Sequence, residues 1–465
     1  MIRFFHLHIP VWGVLLFAAD LVLAFAVISL GFNFSYAPVD ELTDVVGVQL
    51  TGKIVFTLGI VLSLFVMGLH YRRYVADLRM ALLRVAAAHV VAFVLLSTIF
   101  YLVPTVRVWQ SALLPAMGLS LIGTYLLRVG FVRLGNIQLF KRRIIVLGTA
   151  APAAEVLALE RSGLSGRFRS VGFVAAEDEE NLINCDKTIR LCSDEPLFAV
   201  AARMSAQEIV VALKERRSRL PIDELLQCRL HGIQVSQFST FMERETGKVE
   251  LESLNPSWLI FADGFSATLR AQSILKRGFD IVVSLLLLLF TFPVTALAAL
   301  AIVACDGGPV FYRQDRVGQH SAPFKLLKFR SMRVDAEKDG VARWATLADS
   351  RVTAVGHFIR RTRIDEIPQI YNVLRGEMSF VGPRPERPSI VENLRREIPY
   401  YDARHVVKPG ITGWAQINYS YGASLEDARQ KLKYDLYYIK NYSIILDLLI
   451  LMQTVRVVLL GQGAR

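Results

Sequence analysis

The stretch Arg361-Thr-Arg-Ile-Asp365-Glu366-Ile-Pro368-Gln369-Ile-Tyr-Asn372-Val-Leu-Arg-Gly376-Glu377-Met378-Ser379-Phe-Val-Gly382-Pro383-Arg384-Pro385 sets two adjacent carboxylates among arginines and closes on a Gly-Pro-Arg-Pro turn. Cations beside a carboxylate favour its ionised form, which makes it available as a nucleophile or metal ligand at neutral pH. The guanidinium fork matches phosphate oxygens, so the neighbouring arginines suit a phosphorylated ligand. Thr353 to Arg363 reads as a helix, and Pro368 opens a new helical turn. In isolation Asp365-Glu366 also fits an acidic N-terminus for a helix over Pro368 to Leu374. Arg360, Arg361 and Arg363 before the pair, Arg384 after it and an apolar segment nearby favour phosphate chemistry at a bilayer surface.

A chain of 465 residues has room for two or three domains. A net charge of +12 combined with a mean hydropathy of +0.40 is unusual for a soluble protein. It fits membrane helices joined by basic cytoplasmic segments, with anionic lipid or phosphate ligands close by. The apolar content argues against nucleic acid as the partner. Cys185, Cys192, Cys228 and Cys305 show no paired metal-ligand spacing and read as reduced thiols, without a zinc site or a disulfide framework.

Apolar runs cover Trp12 to Phe34, Lys53 to His70, Ala81 to Val103 and Ser111 to Phe131, each about the length a bilayer core requires. The first is too long for a signal peptide and lacks a convincing cleavage site. Arg72, Arg73, Arg79 and Arg84 lie between the second and third runs; Arg128, Arg133, Lys141, Arg142 and Arg143 lie at the end of the fourth and after it. The loop after the first run carries Asp40, Glu41 and Asp44 instead. The positive-inside rule therefore puts both ends of this four-helix unit in the cytoplasm.

From about Lys141 the pattern changes. Arg143 to Thr149 reads as a buried parallel strand ending in a glycine turn, followed by a helix over Ala153 to Arg161. Ser170 to Ala175, Glu208 to Ala212 and Ile233 to Phe238 are further strand candidates, and Pro221 to His231 is helical. Alternation of this kind predicts an open, Rossmann-like α/β sheet. The dinucleotide fingerprint is poor, since Gly148 is not followed by the second and third glycines, and a regulatory or scaffolding role outranks nucleotide binding. The domain is also the candidate surface for a homodimer.

A fifth apolar run, Ile281 to Ala304, has the length of a transmembrane helix but basic residues on both sides. Lys276 and Arg277 precede it; Arg313, Arg316, Lys325, Lys328 and Arg330 follow. Pro293 near its middle predicts a sharp bend. A broken helix over about 279–304, entering and leaving the same leaflet, reconciles the flanks. A straight span with a proline kink is the competing reading.

Beyond this run come Tyr312-Arg313-Gln314 with Arg316 and Gly318, then Lys328-Phe-Arg-Ser-Met332. Their cations either line a phosphate site or touch lipid headgroups. Lys408-Pro409-Gly410-Ile-Thr412-Gly413-Trp414-Ala-Gln416 and Asp435-Leu-Tyr437-Tyr438 complete the series. Gly410 to Gly413 is either a structural turn or a nucleotide contact, and Trp414 either stacks on a base or packs in the core. A final helix over Ser443 to Leu460 is apolar enough to lie against the membrane or the bent helix.

These ordered motifs, with Lys276-Arg277 and Asp280, resemble the bacterial sugar transferases, the monotopic polyprenyl-phosphate phosphoglycosyl transferases. Similarity covers Ser273 to Arg465, and the preceding segments are similar to the long form of that family. Gly382-Pro-Arg-Pro-Glu386-Arg387-Pro388 looks most like members from exosortase-associated exopolysaccharide systems. Departures are Arg363 where a serine is frequent, Glu377 for an aspartate, and Phe292-Pro293 for a serine-proline pair.

The resemblance implies a membrane protein of α plus α/β class: four transmembrane helices over 1–140, a Rossmann-like domain over 141–265, and a mixed α/β catalytic domain over 266–465 anchored by the re-entrant helix. It implies transfer of a sugar 1-phosphate from a UDP-sugar to undecaprenyl phosphate, initiating exopolysaccharide or capsule synthesis at the bacterial inner membrane. The catalytic domain would face the cytoplasm, among inner-membrane lipids. Asp365 is the implied nucleophile, with Glu366 beside it as Mg²⁺ ligand or positioning group. Arg384, Arg316 and Arg361 are candidates for substrate phosphate, and Lys276 and Arg277 for the lipid phosphate at the interface. Glucose or galactose is favoured over an N-acetyl sugar. A membrane-anchored regulatory or assembly protein, binding lipid and nucleotide without catalysis, is the alternative; it would be expected to lack Asp365, Glu366 or Arg384.

Overall fold

A computed structural model describes residues 2–4, 7–9, 11–33, 45–70, 77–108, 110–135, 141–162, 168–175, 182–183, 188–190, 196–213, 220–251, 270–334, 336, 351–419, 422 and 424–459. The chain folds as two compact units, one of Met1–Ile2 with His8–Gly247 and the other of Arg3–Leu7 with Lys248–Arg465. The expected boundary at 140/141 falls inside the first unit. That at 265/266 lies outside the described residues, as do Asp40, Glu41, Asp44, Arg72, Arg73, Cys185 and Cys192.

The apolar runs of the first unit form α1 (Val11–Asn33), α2 (Val45–Val66), α3 (Leu78–Leu102) and α4 (Gln110–Gly135). They share a core that includes Ile28, Phe56, Leu64, Leu96 and Ala116, while Val22, Leu83, Val90 and Leu126 stay exposed. An apolar outer surface on apolar helices is what a lipid environment accepts. Among the described residues, four helical stretches are long and apolar enough to cross a membrane: Gly13–Phe32, Leu78–Leu102, Ser111–Arg133 and Ser273–Asp306. The second N-terminal run differs from expectation. Its helix α2 starts earlier than the run, at Val45, and ends at Val66, before a turn in which Gly68 takes φ +75°. Inside the bundle, Arg128 donates to both carboxylate oxygens of Asp20, at 2.9 and 2.7 Å, and both side chains are fully buried. Pairing offsets part of the cost of placing charge among apolar helices.

The α/β part of this unit carries β1 (Arg142–Leu147), α5 (Ala151–Arg161), β2 (Phe168–Ala175), β3 (Thr188–Arg190), α6 (Leu197–Arg203), β4 (Glu208–Val211), α7 (Ile222–Leu230), β5 (Gln234–Gln237) and α8 (Phe238–Thr246). All five strands are parallel, in the order β3-β2-β1-β4-β5. The central strands read as continuous apolar runs because apolar clusters cover both faces of the sheet. Gly148, at φ +122°, lies so close to the neighbouring strand end that a Cβ would stand 2.8 Å from the Ala212 carbonyl oxygen. Chain packing alone therefore accounts for that glycine. Sequence reading did not pick out β3 or α8.

The second unit begins, in its described helices, with α9 (Arg270–Asp306). Pro293 stands within one continuous helix rather than between two, so the expected break does not interrupt helical structure. Proline removes one donor, and nearby hydroxyls bond the backbone on either side: Thr291 Oγ1 donates to the Leu287 carbonyl and Thr295 Oγ1 to that of Phe292. The middle of α9 is apolar and open, with Leu289, Phe290 and Phe292 about 70% exposed. An antiparallel ribbon follows, β6 (Phe311–Val317) and β7 (Pro323–Phe329), and then α10 (Ala354–Arg361), α11 (Gln369–Arg375), β8 (Ser379–Val381) and α12 (Pro388–Glu397). β9 (Gly410–Thr412) runs parallel to β8, and α13 (Trp414–Asn418), α14 (Leu425–Lys440) and α15 (Ile444–Leu459) close the unit. Their core holds Val373, Met378, Leu436, Tyr438 and Ile450; full burial of each such side chain contributes about 1.5–3 kcal/mol.

Candidate active site

The acidic pair sits where the chain reverses between two short helices. Thr353 caps α10 by accepting from the Gly356 amide, at 2.9 Å. Arg363 then adopts φ +61°, a left-handed conformation that a non-glycine residue holds only when its surroundings enforce it. Residues Ile364–Glu366 form a single 3₁₀ turn, and Pro368 leads into α11. Neither carboxylate caps α11, which has no side-chain cap, so the N-terminal-acid reading does not describe them.

Glu366 is the hub of the site. Its Oε1 lies 3.2 Å from Arg384, 3.4 Å from Arg363 and 3.5 Å from Lys328. Burial opposes ionisation, but Lys328, Arg384 and Arg363 outweigh it and hold the carboxyl at about 2. Asp365 is equally deep, at 8% exposure, yet none of its hydrogen bonds or ion pairs is to a described residue. Burial pushes its carboxyl above the ordinary aspartate range; Lys328 counteracts this and the Glu366 charge reinforces it. One carboxylate is thus clamped and its neighbour is left open.

The cations arrive from separate elements. Lys328 and Arg316 come from the β6–β7 ribbon. Burial draws Arg316 down to about 10, with Glu386, 3.6 Å away, opposing that shift. Arg316 also donates to the Pro385 carbonyl at 2.9 Å, bracing the turn that carries Arg384. Below that turn Arg404, 5% exposed, donates to the Arg384 carbonyl at 3.0 Å, to Tyr401 Oη at 2.6 Å and to Asp435 at 2.9 Å. Gly382, Gly410 and Gly413 let the β8 and β9 backbones meet; a Cβ on any of them would collide with main-chain atoms of the partner segment. Backbone packing accounts for the glycines of Gly410 to Gly413, while Ile411 and Thr412 between them line the cavity, and Trp414 stacks on Tyr437 with centroids 5.6 Å apart.

These groups open into a cavity of about 800 Å³ that runs from Leu287 and Thr291 on α9, past Asp365, to Tyr419 and Lys431. Arg316, Arg384, Lys328 and Glu366 line it. Arg361 is exposed and does not; Arg360 on α10 and Arg363, beyond the helix end in its left-handed conformation, line it instead. Lys276 and Arg277 are not presented outward either. Lys276, 6% exposed, is ion-paired with Asp447, and Arg277 donates to the carbonyls of Val373 and Leu374 at 2.5 and 2.6 Å. Residues that sequence reading passed over are Arg404, Tyr401 and the role of Asp435. The available signal was Asp435 itself, an acid set beside Leu432 and Leu436 on the buried side of α14.

Among the described residues no group of three or more His, Cys, Asp and Glu side chains stands together as a metal cage. The donor set fits a hard cation that a phosphorylated ligand completes, because Mg²⁺ commonly takes one or two carboxylates plus phosphate oxygens and water. The cation contacts of Glu366 fall on Oε1, leaving Oε2 and the Asp365 carboxylate for that purpose.

An acidic pair ringed by lysine and arginine, in a cavity flanked by a long apolar helix, defines a membrane-associated protein equipped for phosphorylated ligands. The family model described as bacterial sugar transferase matches residues 271–461. A UDP-glucose:undecaprenyl-phosphate glucose-1-phosphate transferase of Xanthomonas campestris pv. campestris is 31% identical over 336 residues, covering 69% of this chain and 67% of that protein. A UDP-N-acetylgalactosamine-undecaprenyl-phosphate N-acetylgalactosaminephosphotransferase of Aeromonas hydrophila is 42% identical over 241 residues, 52% of this chain and 56% of the relative. The UDP-glucose:undecaprenyl-phosphate glucose-1-phosphate transferase of Escherichia coli (strain K12) is 48% identical over 184 residues, 39% of each chain. In the last two matches the chain spans about half the length of the relative or less. The chain belongs to the bacterial sugar transferase family.

Proposed function

We propose that the protein transfers a sugar 1-phosphate from a UDP-sugar to undecaprenyl phosphate in two steps. An oxygen of Asp365 attacks the sugar-bearing phosphorus; the bond to UMP breaks and UMP leaves, giving an aspartyl phosphosugar. An oxygen of undecaprenyl phosphate then attacks the same phosphorus. The aspartyl–phosphorus bond breaks, yielding the undecaprenyl diphosphate sugar and the free carboxylate. The relay spares two anionic phosphates a direct encounter. The observation that carries this reading is the asymmetry of the pair: Glu366 is held by three cations, whereas Asp365 is buried beside them with no partner among the described residues.

Arg384, with its backbone anchored by Arg404, and Lys328 are suited to the phosphate oxygens, where charge builds as the bond to UMP lengthens. Asp365 and Glu366 Oε2 would hold Mg²⁺, which supplies charge neutralisation to the diphosphate when bound. Burial pushes the Asp365 carboxyl up while Lys328 draws it down, so a bound cation and the ionised, nucleophilic form would favour each other.

The membrane placement belongs to the same proposal. Both ends of α9 are tied to one folded unit: Lys276, Arg277 and Asp280 near its start, and Ala298, Ile302 and the Asp306 carbonyl near its end. A segment passing through a bilayer cannot have both ends on one side, which supports a re-entrant course for α9 and a cytoplasmic catalytic domain. The parallel sheet over Arg142–Gln237 we read as a Rossmann-like scaffold, and the pathway as exopolysaccharide initiation at the inner membrane. Similar proteins named for glucose and for N-acetylgalactosamine require both sugars to be tested.

The decisive experiment incubates purified protein in bilayer discs with UDP-sugars labelled in the sugar, without lipid acceptor. Labelled sugar retained on wild-type protein and chased by undecaprenyl phosphate is expected, with none retained on Asp365→Asn. Turnover only in the presence of acceptor would replace the relay by direct transfer. No UMP from any sugar in the panel would remove the assignment.

A further inference from the structure

The start of α9 does more than meet the bilayer. Lys276, Arg277 and Asp280 lie within two turns of that helix, just before its exposed apolar stretch, and each reaches a backbone segment that leads directly to the active site. Arg277 donates through two nitrogens to the Val373 and Leu374 carbonyls, at 2.5 and 2.6 Å. These are carbonyls of the last turn of α11, a helix whose first residue stands three positions after Glu366. The Gly376 termination, at φ +82°, brings α11 to a stop directly against the Arg277 guanidinium.

Asp280 grips the other arm. Its Oδ1 accepts from Ser379 Oγ at 3.1 Å and from the Phe380 amide at 3.2 Å, both in β8. Lys276 donates to the Val381 carbonyl at 3.1 Å and pairs with Asp447, and Tyr438 Oη stands 2.8 Å from Asp447 and 3.1 Å from the same carbonyl, with its single proton available to one of them. Val381 is the last residue of β8, and Gly382-Pro383-Arg384 follows it. One short stretch of the membrane helix therefore holds the element behind Asp365 and Glu366 and the element before Arg384. Lys276, Asp280 and Ser379 are buried, so these bonds are poorly exchanged for water.

We propose that Arg277 and Asp280 are positioning residues for the reaction, setting the acidic pair and Arg384 in register through α11 and β8, so that the seating of the membrane helix controls the geometry of the site. This rests on the phosphoglycosyl transfer proposed above. The 3.2 Å contact between Arg384 and Glu366 is the distance under control. The two residues touch neither substrate nor reacting atoms; they act through the backbone they hold.

The test compares Arg277→Ala, Arg277→Lys and Asp280→Asn with wild type in bilayer discs. UMP release is measured over a range of UDP-sugar, and hydrogen exchange is followed over residues 364–384. Misplacing a reacting group by about 1 Å, or removing a group that orients one, lowers rates by about 10- to 100-fold. For Arg277→Ala that loss is expected in kcat, with KM within about threefold of wild type. Arg277→Lys, which keeps a donor for one carbonyl, should recover part of the rate, and Asp280→Asn, which keeps an acceptor oxygen, should lose less than Arg277→Ala. Exchange should quicken in α11 for the Arg277 variants and in β8 for Asp280→Asn. Unchanged kcat and exchange in Arg277→Ala would overturn the proposal, and so would a rise in KM alone, which would make Arg277 a substrate contact. Should Arg277→Ala fail to fold, wild-type kcat and exchange in Arg277→Lys and Asp280→Asn together would overturn it. If wild type releases no UMP from any sugar, the transfer assignment fails, while the exchange data still decide whether α9 restrains α11 and β8.

Discussion

Replacing Glu366 by glutamine probes the site at its hub, because the change keeps size and removes only charge. A carboxyl held at about 2 against an ordinary 4.5 favours its ionised form by about 3 kcal/mol. That stabilisation is complete above about pH 4.5 and fades as pH falls through about 2. Glutamine still offers one oxygen to the Lys328, Arg363 and Arg384 donors, so the expected loss of stability at pH 7 is about 1–3 kcal/mol. The rate effect should be larger. Without a shared anchor the three cations repel one another, and displacement of Arg384 by about 1 Å costs about 100-fold in kcat/KM. A second consequence concerns Asp365, whose carboxyl stands above the ordinary range through burial, with repulsion from Glu366 adding to it. The nucleophile is the deprotonated form, so wild-type kcat/KM should fall as pH drops through a value higher than an ordinary aspartate gives. In Glu366→Gln the repulsion is gone, and the acid limb should move to lower pH. Both readings come from UMP release across pH by protein in bilayer discs, with thermal unfolding as control. Activity within threefold of wild type, or an acid limb that stays in place, would refute this account of the pair.

Three further outcomes are expected. Arg404→Leu, which removes the donor to the Arg384 carbonyl and leaves Asp435 buried without its ion pair, should lower kcat by at least about tenfold and destabilise the fold by about 3–5 kcal/mol; denaturant unfolding and UMP release measure the two effects. Chelation with EDTA should stop UMP release and Mg²⁺ should restore it, and undiminished turnover after exhaustive chelation would remove the metal from the mechanism. In a background without native cysteines, Ser273→Cys and Val334→Cys, both at exposed positions, should resist an impermeant thiol reagent in intact cells and react once the membrane is opened. Labelling of Val334→Cys alone from outside would make α9 a full span.

Local chemistry made much of this protein legible in one dimension. Bilayer-length apolar runs need no tertiary context to form helices, because each helix satisfies its own backbone, and α1, α3 and α4 follow the runs closely. β1, β2 and β4 announced themselves as short apolar segments between helical ones, since a sheet covered on both faces leaves no alternation to misread. Asp365, Glu366 and Arg384 were visible because acids and arginines crowd a short stretch ending in a glycine-proline turn.

Which charge does what was decided only in three dimensions. Lys276 and Arg277 look like interfacial cations in the sequence, yet their side chains turn inward to Asp447 and to the end of α11, contacts separated by 171 and about 96 residues along the chain. Arg361 belongs to the arginine cluster in sequence, but the end of α10 and the left-handed turn at Arg363 leave Arg360 and Arg363, not Arg361, on the cavity. Arg404, Tyr401 and Asp435 are unremarkable when read singly, and acquire a role by meeting under the Arg384 carbonyl. Residue type and spacing thus determine the available chemistry and the membrane segments, since both depend on neighbours along the chain. The partner of each charge depends on packing between distant segments, and burial among those partners is what leaves Asp365 open and Glu366 clamped.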